Sequence, residues 1–397
     1  MMDKTTFANL QNFRASLNAR FLEREDVVDG LLASLITRQN AFLFGAPGTG
    51  KSELVQAVSK GFNGSKFFSY LLSPTTDPSE LFGPVAISKL LEDEYTRDVD
   101  GYLPSANIAF LDELFRGSSS VLNSLLTILN ERTFNNGKEV IKTPIQSIVA
   151  ATNSFPSEES LQAFCDRFLF RPTVDFLRRP VSKRSLDRWA LGIGEPRPVS
   201  DSKLSYGDLL TLQEEVSSIE INDEFLDDFY QVMATLAGRG IQVSDRRRVQ
   251  ILKFMKGWAI VQGDTELVSE HLHNSLIHIV YRDVEDIEVI KDCLDQIIPT
   301  ANKLLLGIKQ AHSGIYSEYS NHALEAEGDT LAVLNAKVVK LRKLHRDLST
   351  LEEKLTGITE AGKYKINIET AGNAVKINRQ LVNLKSSITK SIAKFSL

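Results

Sequence analysis

The segment that decides the fold reads Ala41-Phe42-Leu43-Phe44-Gly45-Ala46-Pro47-Gly48-Thr49-Gly50-Lys51-Ser52. A short apolar run, a glycine-rich turn and a helix-forming sequence from Glu53 onward predict a strand, a loop and a helix. The stretch Gly45 to Ser52 fits the pattern G-x-x-x-x-G-K-[ST], in which loop N–H groups surround phosphate oxygens at a helix N-terminus. In this pattern Lys51 reaches the β- and γ-phosphates, and the Ser52 hydroxyl binds Mg²⁺. The sequence therefore predicts a protein that binds a nucleoside triphosphate.

Size and composition narrow the class of protein. A chain of 397 residues exceeds one hydrophobic core and predicts two or three domains. The formal net charge of −5 gives no support to a protein held on nucleic acid by its overall charge. The two cysteines form no metal-binding pattern, and the sequence has neither a signal peptide nor an apolar run that could span a bilayer. We therefore expect a cytoplasmic protein.

Three further apolar segments alternate with predicted helices in the first half of the chain. They cover residues 66–72, 107–113 and 146–153, and residues 119–131 form an amphipathic helix between the last two. Strands that alternate with helices form a parallel sheet covered on both faces, and ligands bind at the carboxyl ends of such strands. The fold class is therefore α/β, with the glycine-rich loop at the ligand-binding edge.

Polar side chains end two of these strands. Asp112 follows the apolar run 108–111 and is predicted to hold Mg²⁺, while Glu113 is the natural base or water-positioning residue. Asn153 ends the next strand and could hold the attacking water or the γ-phosphate. Each has a structural alternative, because an Asp-Glu pair often caps the following helix and asparagine favours turns.

The second half of the chain is mostly helical. Residues 192–198 indicate a linker, so we divide the chain into an α/β domain at 1–190, a helical lid at 200–290 and a helical C-terminal domain at 291–397. In the last domain a seven-residue leucine repeat predicts a coiled-coil-like helix pair. A connection over residues 356–371, with a strand-like run from Tyr364 to Ile368, precedes the returning helix. The repeat consists of Leu334, Leu341, Leu348 and Leu355.

These motifs together resemble the MoxR family of AAA+ ATPases over about residues 1–290. The glycine-rich loop, Leu111-Asp112-Glu113, Leu129-Asn130-Glu131-Arg132, a hairpin signal at Phe134-Asn135-Asn136-Gly137 and Ala151-Thr152-Asn153 follow the family's order and spacing. Residues 79–83 and 130–132 resemble the RavA branch in particular. Two features depart from these patterns: Leu114-Phe115-Arg116 replaces the usual Asn-Arg after the acidic pair, and residues 291–397 leave little room for the β-rich insertion of that branch.

The resemblance implies a ring, commonly a hexamer, with ATP and Mg²⁺ bound at subunit interfaces. Asn153 matches the sensor 1 position. Arg167 lies in the segment that resembles the arginine finger, with Arg171 as the fallback and a surface ion pair to Asp166 as the structural alternative. Arg246 resembles sensor 2, acting in cis or in trans, although the choice among Arg246 and the adjoining Arg247 and Arg248 is open.

The implied activity is ATP hydrolysis coupled to the remodelling or maturation of a partner that bears a von Willebrand factor A domain. The insert at residues 74–102 and the hairpin at 135–138 are expected to face the ring surface or pore and to couple hydrolysis to that partner. Two other functions fit the same motifs: a nucleotide-gated scaffold that recruits partners, and a DNA-acting AAA+ protein of a defence system. The acidic net charge makes nucleic acid the less favoured partner.

Overall fold

The computed structural model describes residues 4–153, 161, 164–198, 202–281, 283–298, 301–323, 331–360 and 368–395. It divides into two compact units, Met1–Cys293 and Leu294–Leu397, called here the first and the second unit. Across these described ranges, no helix is long and apolar enough to cross a membrane.

The elements of the first unit alternate between strands and helices and then become mainly helical. A last helix, α12, crosses the boundary to the second unit. In chain order they are α1 (Lys4–Arg20), α2 (Glu25–Thr37), β1 (Ala41–Phe44), α3 (Lys51–Ser59), β2 (Phe62–Asn63), β3 (Phe67–Leu71), α4 (Pro78–Phe82), α5 (Ile87–Leu90), β4 (Ile108–Asp112), α6 (Ser119–Glu131), β5 (Thr133–Asn136), β6 (Glu139–Lys142), β7 (Ser147–Thr152), α7 (Pro180–Ala190), β8 (Leu204–Ser205), α8 (Tyr206–Glu215), β9 (Glu220–Ile221), α9 (Asp223–Gly238), α10 (Asp245–Gln262), β10 (Glu266–Leu267), α11 (Ser269–Leu276) and α12 (Asp286–Ile297).

The core of the first unit is a parallel sheet with the strand order β1-β7-β4-β3. Phe42 pairs with Ala150, and Phe110 pairs with Val149, so the apolar runs lie in register at the centre of the sheet. Two isolated parallel bridges, one from Ala41 to Phe170, continue the sheet beyond β1. The prediction of a parallel α/β fold followed by helical regions is confirmed. The carboxyl ends of β1, β4 and β7 meet at one edge, as such a sheet requires.

Helix α2 packs against helix α10 and against Phe170, which pairs with β1. Two glycines permit this close packing. A Cβ on Gly30 would lie 2.0 Å from the ring of Phe170, and a Cβ on Gly257 would lie 2.4 Å from the Thr37 methyl group. Larger residues at either position would push these helices away from their neighbours, because packed interiors have no spare volume.

Beyond the end of α12, the described residues of the second unit form three helices, α13 (Ala301–Ala323), α14 (Leu331–Glu360) and α15 (Ile368–Phe395). Leu341, Leu348 and Leu355 of the repeat are buried, and α14 and α15 are further joined by an ion pair between Glu352 and Lys385. The predicted connection is partly wrong, because α14 continues through residues 356–360 and Ile368 begins α15. Ile358 is only 6% exposed and extends the buried stripe, so its burial outweighs the helix-weakening Gly357. Residues 364–367 of the predicted strand-like run lie outside the described residues.

Candidate functional site

The glycine-rich loop joins β1 to α3 and depends on its glycines. Gly48 and Gly50 have φ angles of 80° and 82°, a left-handed conformation that other residues disfavour. Gly45 is required for a different reason, since a Cβ there would lie 2.2 Å from the carbonyl oxygen of Val174. The loop backbone therefore turns within a tight space and leads directly into the N-terminus of α3, an arrangement that suits phosphate groups.

Lys51 lies within the loop and is only 6% exposed. Its ammonium group donates to the carbonyl oxygens of Gly45, at 2.6 Å, and Ala46, at 3.0 Å, and to Oδ1 of Asn153 at 3.0 Å. Burial lowers the pKa of Lys51, while the nearby carboxylates of Asp112 and Glu113 oppose that shift. The lysine is thus held at the point where the loop, β4 and β7 converge.

Ser52 and Asp112 form the oxygen pair that could hold a metal ion. The Ser52 hydroxyl donates to Oδ2 of Asp112 at 2.7 Å, and Oδ1 of Asp112 accepts the backbone N–H of Glu113 at 3.0 Å. A hydroxyl and a carboxylate are hard oxygen ligands of the kind that Mg²⁺ binds together with substrate phosphates. The residues therefore fit Mg²⁺.

Glu113 projects from the end of β4 in a left-handed conformation with a φ of 52°. It occupies the N-cap position of the short 3₁₀ turn Leu114–Arg116, but its side chain makes no capping hydrogen bond there. Its carboxylate instead accepts a hydrogen bond from the side-chain amide of Asn153 and lies 3.5 Å from Nε of Arg116. Glu113 therefore does not cap this turn through its side chain. Asn153 bridges Lys51 and Glu113 through its two amide atoms.

A cavity of about 580 Å³ adjoins the loop at Gly48 to Gly50. Phe21 and Leu22, the residues expected to border a nucleotide base, line it, and α7 forms another wall through Leu186 and Trp189. Apolar and aromatic walls beside a phosphate-binding loop suit a planar base.

Arg197, which the sequence analysis assigned only to a linker, also lines this base cavity. Its guanidinium lies 3.0 Å from Glu53 of α3 and 5.6 Å from the ring centre of Phe21. No local sequence signal reveals these contacts, because the partners lie far away in the chain.

Arg167 and Arg246 line a second cavity, of about 650 Å³, at the other end of β1. Gln39 and Asn40, which immediately precede β1, belong to its wall, whereas the glycine-rich loop follows β1. The structure therefore brings these two arginines together but separates both from Lys51 of the same chain.

Arg171, the fallback for the arginine finger, is only 2% exposed. Its guanidinium donates to the carbonyl oxygens of Ile279 and Tyr281 and lies 3.7 Å from Asp166. The adjoining Tyr281 phenol donates to the carbonyl oxygen of Arg171, and burial raises the pKa of that phenol to about 12. Arg171 thus joins the end of the sheet to the helical part, which is a structural role.

The three adjoining arginines at the start of α10 have different surroundings. Arg247 donates to the carbonyl oxygen of Ile279 at 2.6 Å and lies 3.5 Å from Asp166. The guanidinium of Arg248 lies over the rings of Phe229 and Tyr230. Arg246 is exposed. Asp166, the ion-pair partner in the structural alternative for Arg167, lies 3.7 Å from Arg171 and 3.5 Å from Arg247.

Comparison with known proteins identifies the family. Residues 8–213, just over half of the chain, match the family described as the MoxR domain of ternary systems of MoxR, von Willebrand factor A and β-propeller proteins. One uncharacterised protein of Methanocaldococcus jannaschii is 31% identical over 392 residues, which cover 96% of this chain and 92% of that protein. A second from the same organism is 35% identical over 289 residues, which cover 72% and 74% of the two chains.

Two further likenesses are more distant. A structural protein of Acidianus two-tailed virus is 31% identical over 219 residues, which cover 54% of this chain and 35% of the viral protein. A crystal structure of a candidate ATPase from Cytophaga hutchinsonii superposes with a TM-score of 0.60 at 16% identity, covering 74% of this chain and 95% of that one. At this identity the superposition supports the fold.

Proposed function

Because this chain belongs to the MoxR family of AAA+ proteins, we propose that it is a Mg²⁺-dependent ATPase whose hydrolytic site is completed by a neighbouring subunit. The observation that carries the proposal is the convergence of Lys51, Ser52, Asp112, Glu113 and Asn153 at one edge of the sheet. The assignment to the RavA branch rests on short motifs alone.

In the proposed site each residue has one task. The N–H groups of the loop and of the first turn of α3 bind the phosphates, and Lys51 adds a positive charge beside them. Ser52 and Asp112 would hold Mg²⁺, which neutralises charge on the phosphate oxygens when bound. Glu113 orients a water molecule and accepts its proton, and Asn153 keeps Glu113 and Lys51 in fixed relative positions.

The charge that develops on the transferred phosphoryl group also requires a cation from outside the loop. Arg167 and Arg246 are the proposed donors, and their location at the other end of β1 supports action on the ATP of an adjacent subunit. Arg246 is the preferred sensor 2 residue, because Arg247 and Arg248 are engaged within their own chain. A closed ring, commonly a hexamer in this family, would give every subunit such a neighbour.

The insert and the hairpin supply a proposed coupling surface. The side chain of Asn136 accepts from the N–H of Arg97 at 2.6 Å and donates to its carbonyl oxygen at 3.1 Å, so the two segments are joined. Ile87, Leu91 and Val140 are 75%, 84% and 65% exposed beside this junction. Exposed apolar side chains favour protein contact. Together with the family description, they support a partner with a von Willebrand factor A domain, which ATP turnover would remodel.

The test is the Glu113→Gln variant, which keeps the size of the side chain and removes its charge. We expect ATP binding with turnover reduced by roughly 10²-fold or more, the contribution of a general base. Glu214→Gln, at an exposed position of α8 that lines neither cavity, is the matched control and should retain turnover. Normal turnover by Glu113→Gln refutes the assigned role. Partner remodelling that survives its loss of turnover refutes the motor and favours the nucleotide-gated scaffold.

A further inference from the structure

We propose that Glu23 is a positioning residue that holds helix α7 against the base cavity and thereby sets the affinity for nucleotide. The inference rests on the proposed function, because it assigns the cavity beside the loop to the base of ATP. It adds a residue from the short segment between α1 and α2, which carries none of the phosphate-binding motifs.

The carboxylate of Glu23 receives two backbone hydrogen bonds at the start of α7. Its two oxygens accept the backbone N–H groups of Arg178 and Arg179, each at 2.8 Å. The Ser182 hydroxyl also lies close enough to contribute to lowering the pKa of this carboxylate. Arg179 is the N-cap residue of α7 and makes no side-chain capping bond of its own. Glu23 therefore supplies from a distant part of the sequence the cap that α7 lacks locally.

The backbone conformation at Glu23 indicates that this position requires a carboxylate side chain. Its φ is 57°, in the left-handed region where glycine is favoured and longer side chains are disfavoured. The N–H of Arg178, followed by Ser182 and the N–H of Arg179, lowers the pKa of Glu23 to about 2, although partial burial opposes the shift. The side chain is thus negatively charged at any pH at which the protein would work.

Helix α7 has few other attachments. Ser182 is its one buried residue, whereas Val181 and Leu186 are 76% and 44% exposed. A second contact comes from the residue next to Glu23, because the guanidinium of Arg24 donates to the carbonyl oxygen of Asp175 just before α7. A helix with so little buried surface depends strongly on the hydrogen bonds at its end.

The position of α7 determines the width of the base cavity. Lys183, Leu186, Asp187 and Trp189 of α7 face Phe21, Leu22 and the loop across it. If the start of α7 were released from Glu23, the wall would no longer be fixed at the distance that a base requires. Nucleotide binding would then weaken, since part of the binding free energy would be needed to order α7.

The experiment compares Glu23→Gly and Glu23→Gln with the unaltered full-length chain, using steady-state ATP hydrolysis and equilibrium binding of a fluorescent ADP analogue. Glycine relieves the backbone and removes the carboxylate, while glutamine keeps the length and one acceptor. Glu25→Gln, two residues along and exposed, is the matched control. We expect Glu23→Gly to raise both KM for ATP and Kd for the analogue about five- to tenfold, as for loss of a helix cap, with kcat kept.

Each outcome is decisive for one of the two proposals. A rise in KM and Kd at unchanged kcat, smaller for Glu23→Gln and absent for Glu25→Gln, supports the positioning role. Unchanged KM and Kd, or a fall in kcat alone, overturns it. If Glu23→Gly fails to fold, Glu23→Gln gives the same reading. If the unaltered chain binds the analogue but does not hydrolyse ATP, the proposed function fails, while the Kd values still test Glu23.

Discussion

Asn153 offers the sharpest test of the site, because its side chain connects Lys51, the proposed phosphate-binding residue, to Glu113, the proposed base. In Asn153→Ala, Lys51 loses one of its three hydrogen-bond acceptors, and Glu113 loses the amide that fixes its carboxylate. The two carbonyl acceptors of Lys51 stay in place. ATP binding should therefore change little, whereas the orientation of Glu113 should be lost.

The expected magnitudes follow from these contacts. A hydrogen bond to a charged group contributes roughly 1.5–3 kcal/mol, but water can partly replace the amide, so the free energy of unfolding should fall by about 1 kcal/mol. A positioned general base contributes roughly 10²–10⁴-fold to the rate. In Asn153→Ala the carboxylate of Glu113 would still reach the water molecule, but it would no longer be held in one orientation. We therefore expect kcat to fall roughly 10²-fold while Kd for ATP stays within about threefold.

Single-turnover hydrolysis and equilibrium nucleotide binding separate these two effects. Asn107→Ala is the matched control. Asn107 precedes β4 at the other edge of the sheet, accepts from the N–H of Lys66 at 2.8 Å and donates to the Tyr206 hydroxyl at 3.2 Å. The Asn107→Ala variant should lower stability about as much as Asn153→Ala and leave kcat unchanged. If both variants lose turnover equally, or if Asn153→Ala loses ATP binding along with turnover, the bridging role is refuted.

Three further predictions follow from the surroundings of single residues. Arg246→Ala should lower kcat at least tenfold with ATP binding retained, and mixing this variant with Glu113→Gln subunits should restore some activity. Arg248→Ala is the control and should mainly lower stability, so equal effects of the two substitutions on kcat would contradict the assignment of Arg246. Burial lowers the pKa of His278 to about 4, from about 6.5 in the unfolded chain. The free energy of unfolding should therefore fall as pH drops from about 6.5 toward 4, by about 1 kcal/mol at pH 5.5. Urea unfolding of His278→Gln should show a weaker dependence of stability on pH. Leu381→Ala, at a fully buried position of the second unit, should cost about 2–5 kcal/mol in chemical unfolding of that unit; a loss below about 1 kcal/mol would contradict the described packing.

The sequence predicts best what depends on neighbouring residues. The strand, loop and helix around Lys51 follow from a local pattern, and β4 and β7 were located because an uninterrupted apolar run is typical of a strand buried on both faces. Their shared edge then brings Asp112 and Asn153 together without further information. The structure bears out this arrangement of the sheet.

Other features depend on contacts between distant parts of the chain. Nothing in three consecutive arginines indicates that Arg247 meets a backbone carbonyl, that Arg248 meets aromatic rings and that Arg246 stays exposed. The same applies to Glu23, whose partners lie more than a hundred residues later. The extension of α14 was missed because Gly357 resembles a helix end, while the burial of Ile358 becomes visible only once its partner helices are present.

The separation of Lys51 and Arg246 to opposite ends of β1 has a consequence for how such a protein would respond to its own abundance. In the proposed assembly a lone subunit would bind ATP and hydrolyse almost none of it, since the cation proposed to speed hydrolysis would come from a different molecule. Turnover per subunit should therefore rise with protein concentration and level off once assembly is complete. Dilution would then lower the activity per subunit, and the amount of protein produced would determine the ATPase activity.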